Sequence, residues 1–219
     1  MSGRMTGSGV EPMIYEEKIN QLSYLIYYPD DFDEKKKTPL LIHIHGAGAC
    51  GKDLRLVKKT GPIFEVLQGK KLPFVIIAPQ CHAETWFEIY NQLLEFIDYT
   101  SNLYFIDKSR VYLSGVSMGG YTAWTTAMIK PELFAALVVV CGGGMYWNAD
   151  KLREIPIWAF HGALDNTVYV TESINMVRAV NNAGGNAKLT IYPDVAHNSW
   201  EKAFATDELY TWLLSHKRG

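Results

Sequence analysis

The sequence has little charge imbalance, few cysteines and no long hydrophobic run. Its 219 residues carry 21 basic and 23 acidic side chains, a formal net charge of −2, so no basic surplus points to a nucleic-acid partner. The longest apolar stretch, residues 134–141, is far shorter than the roughly 20 residues that cross a bilayer. We therefore expect a globular domain that binds neither nucleic acid nor membrane. The sequence does not indicate an oligomeric state.

Cysteine is scarce, and its positions are uninformative about metals. The chain has 3 cysteines, Cys50, Cys81 and Cys141, an odd number too small for a disulfide scaffold. We expect free thiols, although a Cys50–Cys81 bridge stays open because both residues fall in loops near the site described below. No cysteine has metal-ligand spacing to another Cys or His, so no metal site is predicted.

The first residues lack the apolar core of a secretory leader. Residues 1–13 are rich in Gly, Ser and Thr, and we interpret them as a flexible tail or an expression-vector remnant. Residues 14–219 are then a single catalytic domain, since no linker or repeat interrupts them. The default location is cytoplasmic, although a leader removed beforehand would leave the same sequence.

Apolar runs alternate with helix-forming segments through most of the chain. This alternation predicts an α/β fold, a mostly parallel sheet with helices on both faces. A leading hairpin precedes it. The predicted strands are 13–19, 22–28, 39–45, 72–78, 110–114, 134–141, 155–160 and 187–192, and the predicted helices are 53–68, 87–103, 121–128, 171–182 and 200–216.

The segment Gly115-Val116-Ser117-Met118-Gly119-Gly120 lies between a predicted strand and a predicted helix. G-x-S-x-G occurs by chance in many chains, and a glycine-rich turn can be purely structural. Between a strand and a helix, however, it is typical of a nucleophile elbow, in which the serine stands on a tight turn clear of the sheet. Ser117 is therefore the candidate nucleophile.

Two further residues complete a catalytic constellation with Ser117. Asp165 and His197 each follow a predicted strand, and the chain order is Ser, Asp, His. A histidine can take the serine proton and return it to the leaving group, and an aspartate fixes the imidazole tautomer. Taken singly, Asp165 could be a turn former and His197 a loop residue; their joint occurrence favours catalysis.

Acyl transfer also requires N–H donors for the developing oxyanion. The Met118 amide, at the start of the helix, is the first predicted donor. The second is expected from the glycine-rich loop after the third strand, where we favour Ala47, with Gly48 the alternative. The same glycines would also suit a simple turn into a helix.

With these motifs, the chain resembles the α/β-hydrolase family from about Tyr15 to His216. The chain is most similar to compact bacterial serine esterases of the carboxylesterase/phospholipase and dienelactone-hydrolase-like groups, which include feruloyl and acetyl esterases. The matching motifs are His45-Gly46-Ala47-Gly48, Ala78-Pro79-Gln80-Cys81 with Trp86, Gly115-Val116-Ser117-Met118-Gly119-Gly120, His161-Gly162-Ala163-Leu164-Asp165 and His197-Asn198-Ser199-Trp200. The resemblance implies a single-domain fold with an eight-stranded sheet, an antiparallel second strand, and no metal or organic cofactor. Dienelactone hydrolases carry a cysteine nucleophile where this chain has Ser117, which weakens a lactone interpretation.

The loops predicted to surround the site indicate the substrate. The gap between the sixth and seventh strands, residues 142–154, is too short for a large lid, so an open cleft is expected. Loop aromatics favour aryl or carbohydrate-linked esters, although any one of them could simply pack the loops. The predicted substrate contacts are Gly48, Trp86, Tyr146, Trp147, Val168 and Trp200, with Tyr169 a further loop aromatic.

The leading functional hypothesis is a serine carboxylesterase that hydrolyses short-chain acyl or aryl (feruloyl-type) esters through an acyl-enzyme. A small peptidase or a lysophospholipase- or thioesterase-like hydrolase is the alternative, since the same residue set serves those reactions. A non-catalytic binding scaffold is the remote alternative, because such proteins usually lose a member of the constellation.

Overall fold

The computed structural model describes residues 12–219. Most of the predicted N-terminal tail, residues 1–11, therefore lies outside the described residues. The fold is built on one eight-stranded sheet with spatial order β1-β2-β4-β3-β5-β6-β7-β8. Its strands are β1 Ile14–Ile19, β2 Leu22–Tyr27, β3 Thr38–Ile44, β4 Val75–Pro79, β5 Ile106–Val116, β6 Ala136–Val140, β7 Ile157–Gly162 and β8 Ala187–Tyr192.

The predicted topology is confirmed. β1 and β2 form an antiparallel hairpin with Ile19 opposite Leu22, and Asn20 in the turn has a positive φ of 52°. Asparagine tolerates this left-handed conformation well. β2 is also antiparallel to β4, whereas every later neighbouring pair is parallel. The carboxyl ends of β3 to β8 consequently meet at one edge.

The inner strands of the sheet are buried on both faces, as their nearly continuous apolar sequences predict, whereas the edge strands β1 and β8 are largely exposed or half-buried. In β3, Leu40 and Ile42 pack into one core cluster while Leu41 packs into the other. In β6, Val139 and Val138 divide in the same way. Helices cover both faces: α1 Gly61–Leu67, α2 Tyr90–Ser101, α3 Met118–Ile129, α4 Thr171–Asn182, α5 Trp200–Ala205 and α6 Asp207–Leu214.

The predicted helix over residues 53–68 is wrong in its first half. The structure has a short 3₁₀ turn, Val57–Lys59, and α1 begins only at Gly61. Gly61 has a positive φ of 74°, and Pro62 follows it. Because proline disfavours helical backbone in the residue before it, a helix cannot run through this point. Residues 53–60 therefore form an irregular wall beside the carboxyl edge of the sheet.

The predicted final helix, residues 200–216, is two helices. Thr206 has an extended backbone, with ψ of 114°, between α5 and α6. Asp207 and Glu208 then occupy the first turn of α6, where acidic side chains interact favourably with the helix dipole. The break lets Phe204 and Leu209 both reach the same core cluster.

The segment between β6 and β7 contains only a short 3₁₀ stretch, Tyr146–Leu152, whose Ala149 and Leu152 are buried. The expectation of no large lid is confirmed. Among residues 12–219, none of the helices is both long and apolar enough to cross a membrane.

Candidate active site

The parallel strands bring three loop residues together at the carboxyl edge of the sheet. Ser117 follows β5, Asp165 follows β7 and His197 follows β8. The Nε2 atom of His197 lies 2.9 Å from Ser117 Oγ, and its Nδ1 atom lies 2.7 Å from Asp165 Oδ2. The three side chains that the sequence singled out thus form one continuous hydrogen-bonded chain.

Ser117 is held in a sharp turn between β5 and α3. Its φ of 54° and ψ of −120° place it in a region that non-glycine residues rarely adopt. Its own N–H donates to Val140 O at 2.9 Å, and its carbonyl accepts the N–H groups of Gly120 and Tyr121. These bonds fasten the turn to β6 on one side and to α3 on the other.

The turn requires α3 to approach β3 very closely. A Cβ at Gly119 would lie 2.2 Å from Ile44 O and 2.5 Å from His45 O, closer than any side chain can sit. Glycine at this position therefore lets α3 start directly beneath Ser117. The result is a serine hydroxyl at the mouth of the fold, with the N-terminus of α3 behind it.

Asp165 is buried and fully engaged. Its Oδ1 atom accepts the backbone N–H groups of Thr167 and Val168, each at 2.9 Å. Burial raises the pKa of this carboxyl, but the hydrogen bonds from His197, Val168 and Thr167 outweigh burial and hold the pKa below its ordinary value. Asp165 is therefore an ionised acceptor near neutral pH.

The carboxylate of Asp165 fixes the tautomer of the neutral His197 ring. A carboxylate can only accept, so Nδ1 of His197 carries the proton and Nε2 offers a lone pair to the Ser117 hydroxyl. The indole ring of Trp200 stands at 90° to the imidazole, with ring centres 5.4 Å apart. The ring is thus oriented on two sides and still partly open to solvent.

Two buried histidines brace the loops around these residues. Nε2 of His45 accepts the Cys81 N–H at 2.9 Å, so its Nδ1–H donates to Gly46 O at 2.7 Å. His161 lies 2.8 Å from Val168 O through Nε2 and 2.7 Å from Ser173 Oγ through Nδ1. His45 supports the loops alone, whereas His161 Nε2 also lies 3.3 Å from Asp165 Oδ2.

The prediction that Trp86 contacts substrate is wrong. Its side chain is 0% exposed, and its Nε1–H donates to His45 O at 3.0 Å. The indole therefore anchors the residue that precedes the loop beginning at Gly46. That loop comes close to the nucleophile, since a Cβ at Gly46 would lie 3.3 Å from Ser117 Cβ.

The two predicted oxyanion donors are first residues of helical segments. Met118 begins α3, and Ala47 begins the 3₁₀ turn Ala47–Ala49. The first N–H groups of a helix have no acceptor within it, so they point outward and are free to bind an anion. Ala47 and Gly48 both line the cleft beside Ser117.

A cleft of about 390 Å³ opens beside Ser117. Of the predicted substrate contacts, Gly48 and Trp200 line it, together with Ala47, Ser117 and His197. Gly46, Ala49 and Val116, which adjoin the predicted residues in the chain, also line it. Sequence reasoning missed the wall residues that lie away from the predicted motifs, which are Leu56, Lys59, Thr60 and Thr167.

The missed residues have two origins. Leu56, Lys59 and Thr60 were hidden by the wrong helix prediction over residues 53–68, although Gly61-Pro62 was a visible break signal. Thr167 belongs to the turn that Asp165 closes, and nothing in its residue type marked it.

The other predicted contacts lie outside the cleft wall. Tyr146, Trp147 and Tyr169 are strongly exposed on the loops after β6 and β7. The backbone of Val168 serves Asp165 and His161 instead. These residues could meet only those parts of a substrate that extend beyond the cleft.

A metal ion does not suit the cluster of possible ligand atoms beside Ser117. Ligand atoms of Cys141, Asp165 and His197 lie within 4.8 Å of one another. Asp165 and His197 are already bonded to each other, and burial raises the pKa of the Cys141 thiol to about 12. A protonated thiol is a poor ligand, so this donor set favours the hydrogen-bonded arrangement. Cys50 and Cys81 are free thiols in the structure.

Residues 78–213, more than half of the chain, match the family model described as phospholipase/carboxylesterase. The chain belongs to the phospholipase/carboxylesterase family. The matched span begins at the end of β4 and includes Ser117, Asp165 and His197, but it leaves out the loop that carries Ala47.

Several known proteins are similar to this family member. A thermostable esterase of known structure superimposes with a TM-score of 0.81 at 29% identity, over 95% of this chain and 63% of that one. The probable feruloyl esterase C of Aspergillus niger is 22% identical over 90% of this chain and 75% of its own length. The human prolyl endopeptidase FAP is 22% identical over 88% of this chain. The chain spans only 30% of that peptidase.

Proposed function

We propose that the chain is a serine carboxylic ester hydrolase that works through an acyl-enzyme. The observation that supports this most strongly is the hydrogen-bonded chain from Ser117 through His197 to Asp165, with separations of 2.9 and 2.7 Å. These are working distances for proton transfer between a nucleophile and its base. Membership of the phospholipase/carboxylesterase family supports the same reaction class.

In the first half of the reaction, Ser117 Oγ attacks the ester carbonyl carbon while its proton passes to His197 Nε2. The resulting oxyanion accepts hydrogen bonds from the backbone N–H groups of Met118 and Ala47, and Asp165 stabilises the imidazolium. When the tetrahedral intermediate collapses, His197 returns the proton to the departing alkoxide. An alcohol leaves, and the acyl group stays on Ser117.

In the second half, water attacks the acyl-enzyme, again with His197 as base. Collapse of the second intermediate releases the carboxylic acid and restores the Ser117 hydroxyl. No cofactor is required, because each proton that His197 accepts is returned within the same half-reaction.

The substrate class that we propose is short-chain acyl or aryl (feruloyl-type) esters, which could be attached to carbohydrate. The cleft wall combines apolar Leu56 and Trp200 with small residues near Ser117, a surface suited to a short acyl chain or a planar ring. Likeness to probable feruloyl esterase C supports the aryl ester. Exposed Tyr146 and Trp147 could stack against the sugar beyond the ester.

A peptidase is the second candidate, because the chain resembles part of prolyl endopeptidase FAP and of dipeptidyl-peptidase 5 from Aspergillus oryzae. It spans 30% and 32% of those proteins. Two findings favour the ester reaction. The chain belongs to the phospholipase/carboxylesterase family, and a thermostable esterase of known structure is 29% identical to it.

Turnover on a matched panel would decide between the candidates. The panel comprises p-nitrophenyl acetate, butyrate and octanoate, methyl ferulate, acetylated xylan and a proline-containing peptide amide, with Ser117→Ala as the control. Ester turnover that disappears in Ser117→Ala is expected. Turnover of the peptide amide alone would replace the esterase proposal with the peptidase.

A further inference from the structure

Among residues 12–219, Lys59 is the one ionisable residue besides His197 that lines the active-site cleft. The rest of the wall consists of small, apolar or hydroxyl-bearing residues. Lys59 ends the 3₁₀ turn that begins at Val57, and Thr60 after it also faces the cleft. The cleft wall thus includes one exposed cationic residue.

The neighbouring cations of this segment already have partners. Arg55 makes two contacts with Asp53, at 2.8 and 2.9 Å, and Lys58 Nζ lies 2.9 Å from Glu16 Oε1. Within residues 12–219, Lys59 has no carboxylate within salt-bridge distance. Of these three cations, Lys59 is the one without a salt bridge in residues 12–219; the pKa of Asp53 is lowered chiefly by its hydrogen bonds with Arg55 and to a smaller extent by the charge of Lys59.

Hydroxyl groups accompany this charge. Thr60 and Thr167 line the same cleft, and a threonine hydroxyl can donate to a carboxylate oxygen. Leu56 and Trp200 supply apolar wall. A substrate that matches this surface has a hydrocarbon or aryl spacer beside Ser117 and a single negative charge at its far end.

We propose that Lys59 forms an anion subsite of the cleft, and that the preferred substrates are esters with a carboxylate on their acyl or alcohol portion. The inference rests on the proposed ester hydrolysis at Ser117. It adds a preference for a negatively charged substrate, which the Ser117–His197–Asp165 arrangement alone does not impose. A single lysine fits a monoanion, whereas a doubly charged phosphate would call for a larger basic cluster.

Two pairs of esters differ chiefly by one negative charge, and comparing each pair in wild type and variant cancels the intrinsic difference in reactivity. In the first pair, monoethyl adipate carries a carboxylate on its acyl portion and ethyl hexanoate is its neutral counterpart. In the second pair, the anion of 4-acetoxybenzoic acid carries the carboxylate on its alcohol portion, and the methyl ester of that acid is neutral. The measured quantity is the ratio of kcat/KM for the anionic ester to that for the neutral ester.

Lys59→Met is expected to lower this ratio by about two- to fivefold in at least one pair, as for a partly exposed ion pair. Lys59→Glu is expected to lower it roughly tenfold, because repulsion is added to the lost attraction. Lys58→Met is the matched control, since it removes a neighbouring charge that already binds Glu16. Raising the salt from about 20 to about 500 mM should reduce the wild-type ratio in the same pair.

An unchanged ratio in Lys59→Met and Lys59→Glu for both pairs would overturn the inference, and so would an equal drop in Lys58→Met. The pair that responds shows which portion carries the charge. Hydrolysis of ethyl hexanoate that depends on Ser117 tests the reaction separately. Binding of both pairs to Ser117→Ala, with and without Lys59→Met, tests the subsite even where turnover is absent; equal affinities would contradict it.

Discussion

At the scale of single residues, Ser117 has a backbone conformation that serine ordinarily avoids. Such a residue costs on the order of 1–3 kcal/mol, which the surrounding structure must offset. The bonds to Val140, Gly120 and Tyr121 hold it in place. The turn was predictable from its glycines, but the hydrogen bond from Trp86 to His45 O was not, because contacts between residues 41 positions apart leave no local pattern.

Asp165→Asn tests the role of the carboxylate. The amide could present its N–H to Nδ1 and stabilise the wrong imidazole tautomer, so we expect kcat for a neutral ester to fall by about 10⁴ while the fold is kept. Asp194→Asn is the control, because Asp194 is exposed and its one salt bridge within residues 12–219 is with Lys202. Near-normal turnover in Asp165→Asn would show that another group acts on His197.

Two buried histidines predict how stability depends on pH. Burial lowers the pKa of His43 from 6.5 to about 3 and that of His45 from 6.5 to about 4. As the pH falls below 6.5, the unfolded chain takes up protons on these rings but the folded chain does not until about pH 4. The free energy of unfolding should therefore fall with decreasing pH, by up to about 1.4 kcal/mol per pH unit for each ring.

Urea unfolding at about pH 7.5, 6.5 and 5.5 measures this slope, above the range in which most carboxylates titrate. A free energy of unfolding that stays constant between the two lower values would mean that both rings take up protons in the folded chain as readily as in the unfolded chain.

At the scale of elements, the sequence pattern identified every strand, and it was less accurate for helices near glycine and proline. The apolar runs of β3 and β6 could be recognised because strands buried on both faces need no periodicity. The break at Gly61-Pro62 was missed because flanking residues such as Leu56 and Val66 suit one long helix. That one error hid a whole wall of the cleft.

Gly61→Ala tests why the helix begins there. A Cβ at this position would lie 2.2 Å from Nε2 of the buried His43, in addition to the cost of a positive φ. Gly184→Ala is the matched control, since Gly184 has φ of 84° and no atom within 4 Å of the added Cβ. We expect losses in the free energy of unfolding of about 3 kcal/mol for Gly61→Ala and about 1 kcal/mol for Gly184→Ala. Equal losses, measured by urea unfolding, would show that only backbone strain matters.

At the scale of the whole molecule, parallel strands gather distant residues at one edge without any need for a second domain. Ser117 and His197 are 80 positions apart in the chain, and they meet because β5 and β8 end on the same side. The eight strands and the antiparallel second strand were predictable from the resemblance to α/β-hydrolases. The composition of the cleft wall was not, because it depends on loops whose course has no periodic pattern.

The short segment between β6 and β7 predicts kinetics without interfacial activation. Since no large lid covers the cleft among the described residues, the hydrolysis rate of p-nitrophenyl octanoate should rise smoothly and saturate as its concentration crosses the aggregation threshold. Initial rates on both sides of that threshold provide the measurement, with the short butyrate ester as a non-aggregating control. A sharp increase at the threshold for the octanoate alone would show that a surface opens the site.

The central claim, that Ser117 is acylated during turnover, can be tested directly by covalent labelling. The protein is treated with a fluorophosphonate and digested, and the modified peptide is identified by mass spectrometry. The account predicts one label, on Ser117, that is absent from a folded Ser117→Ala variant and slowed in Asp165→Asn. A label on another residue, or no label on a protein that hydrolyses esters, would contradict it.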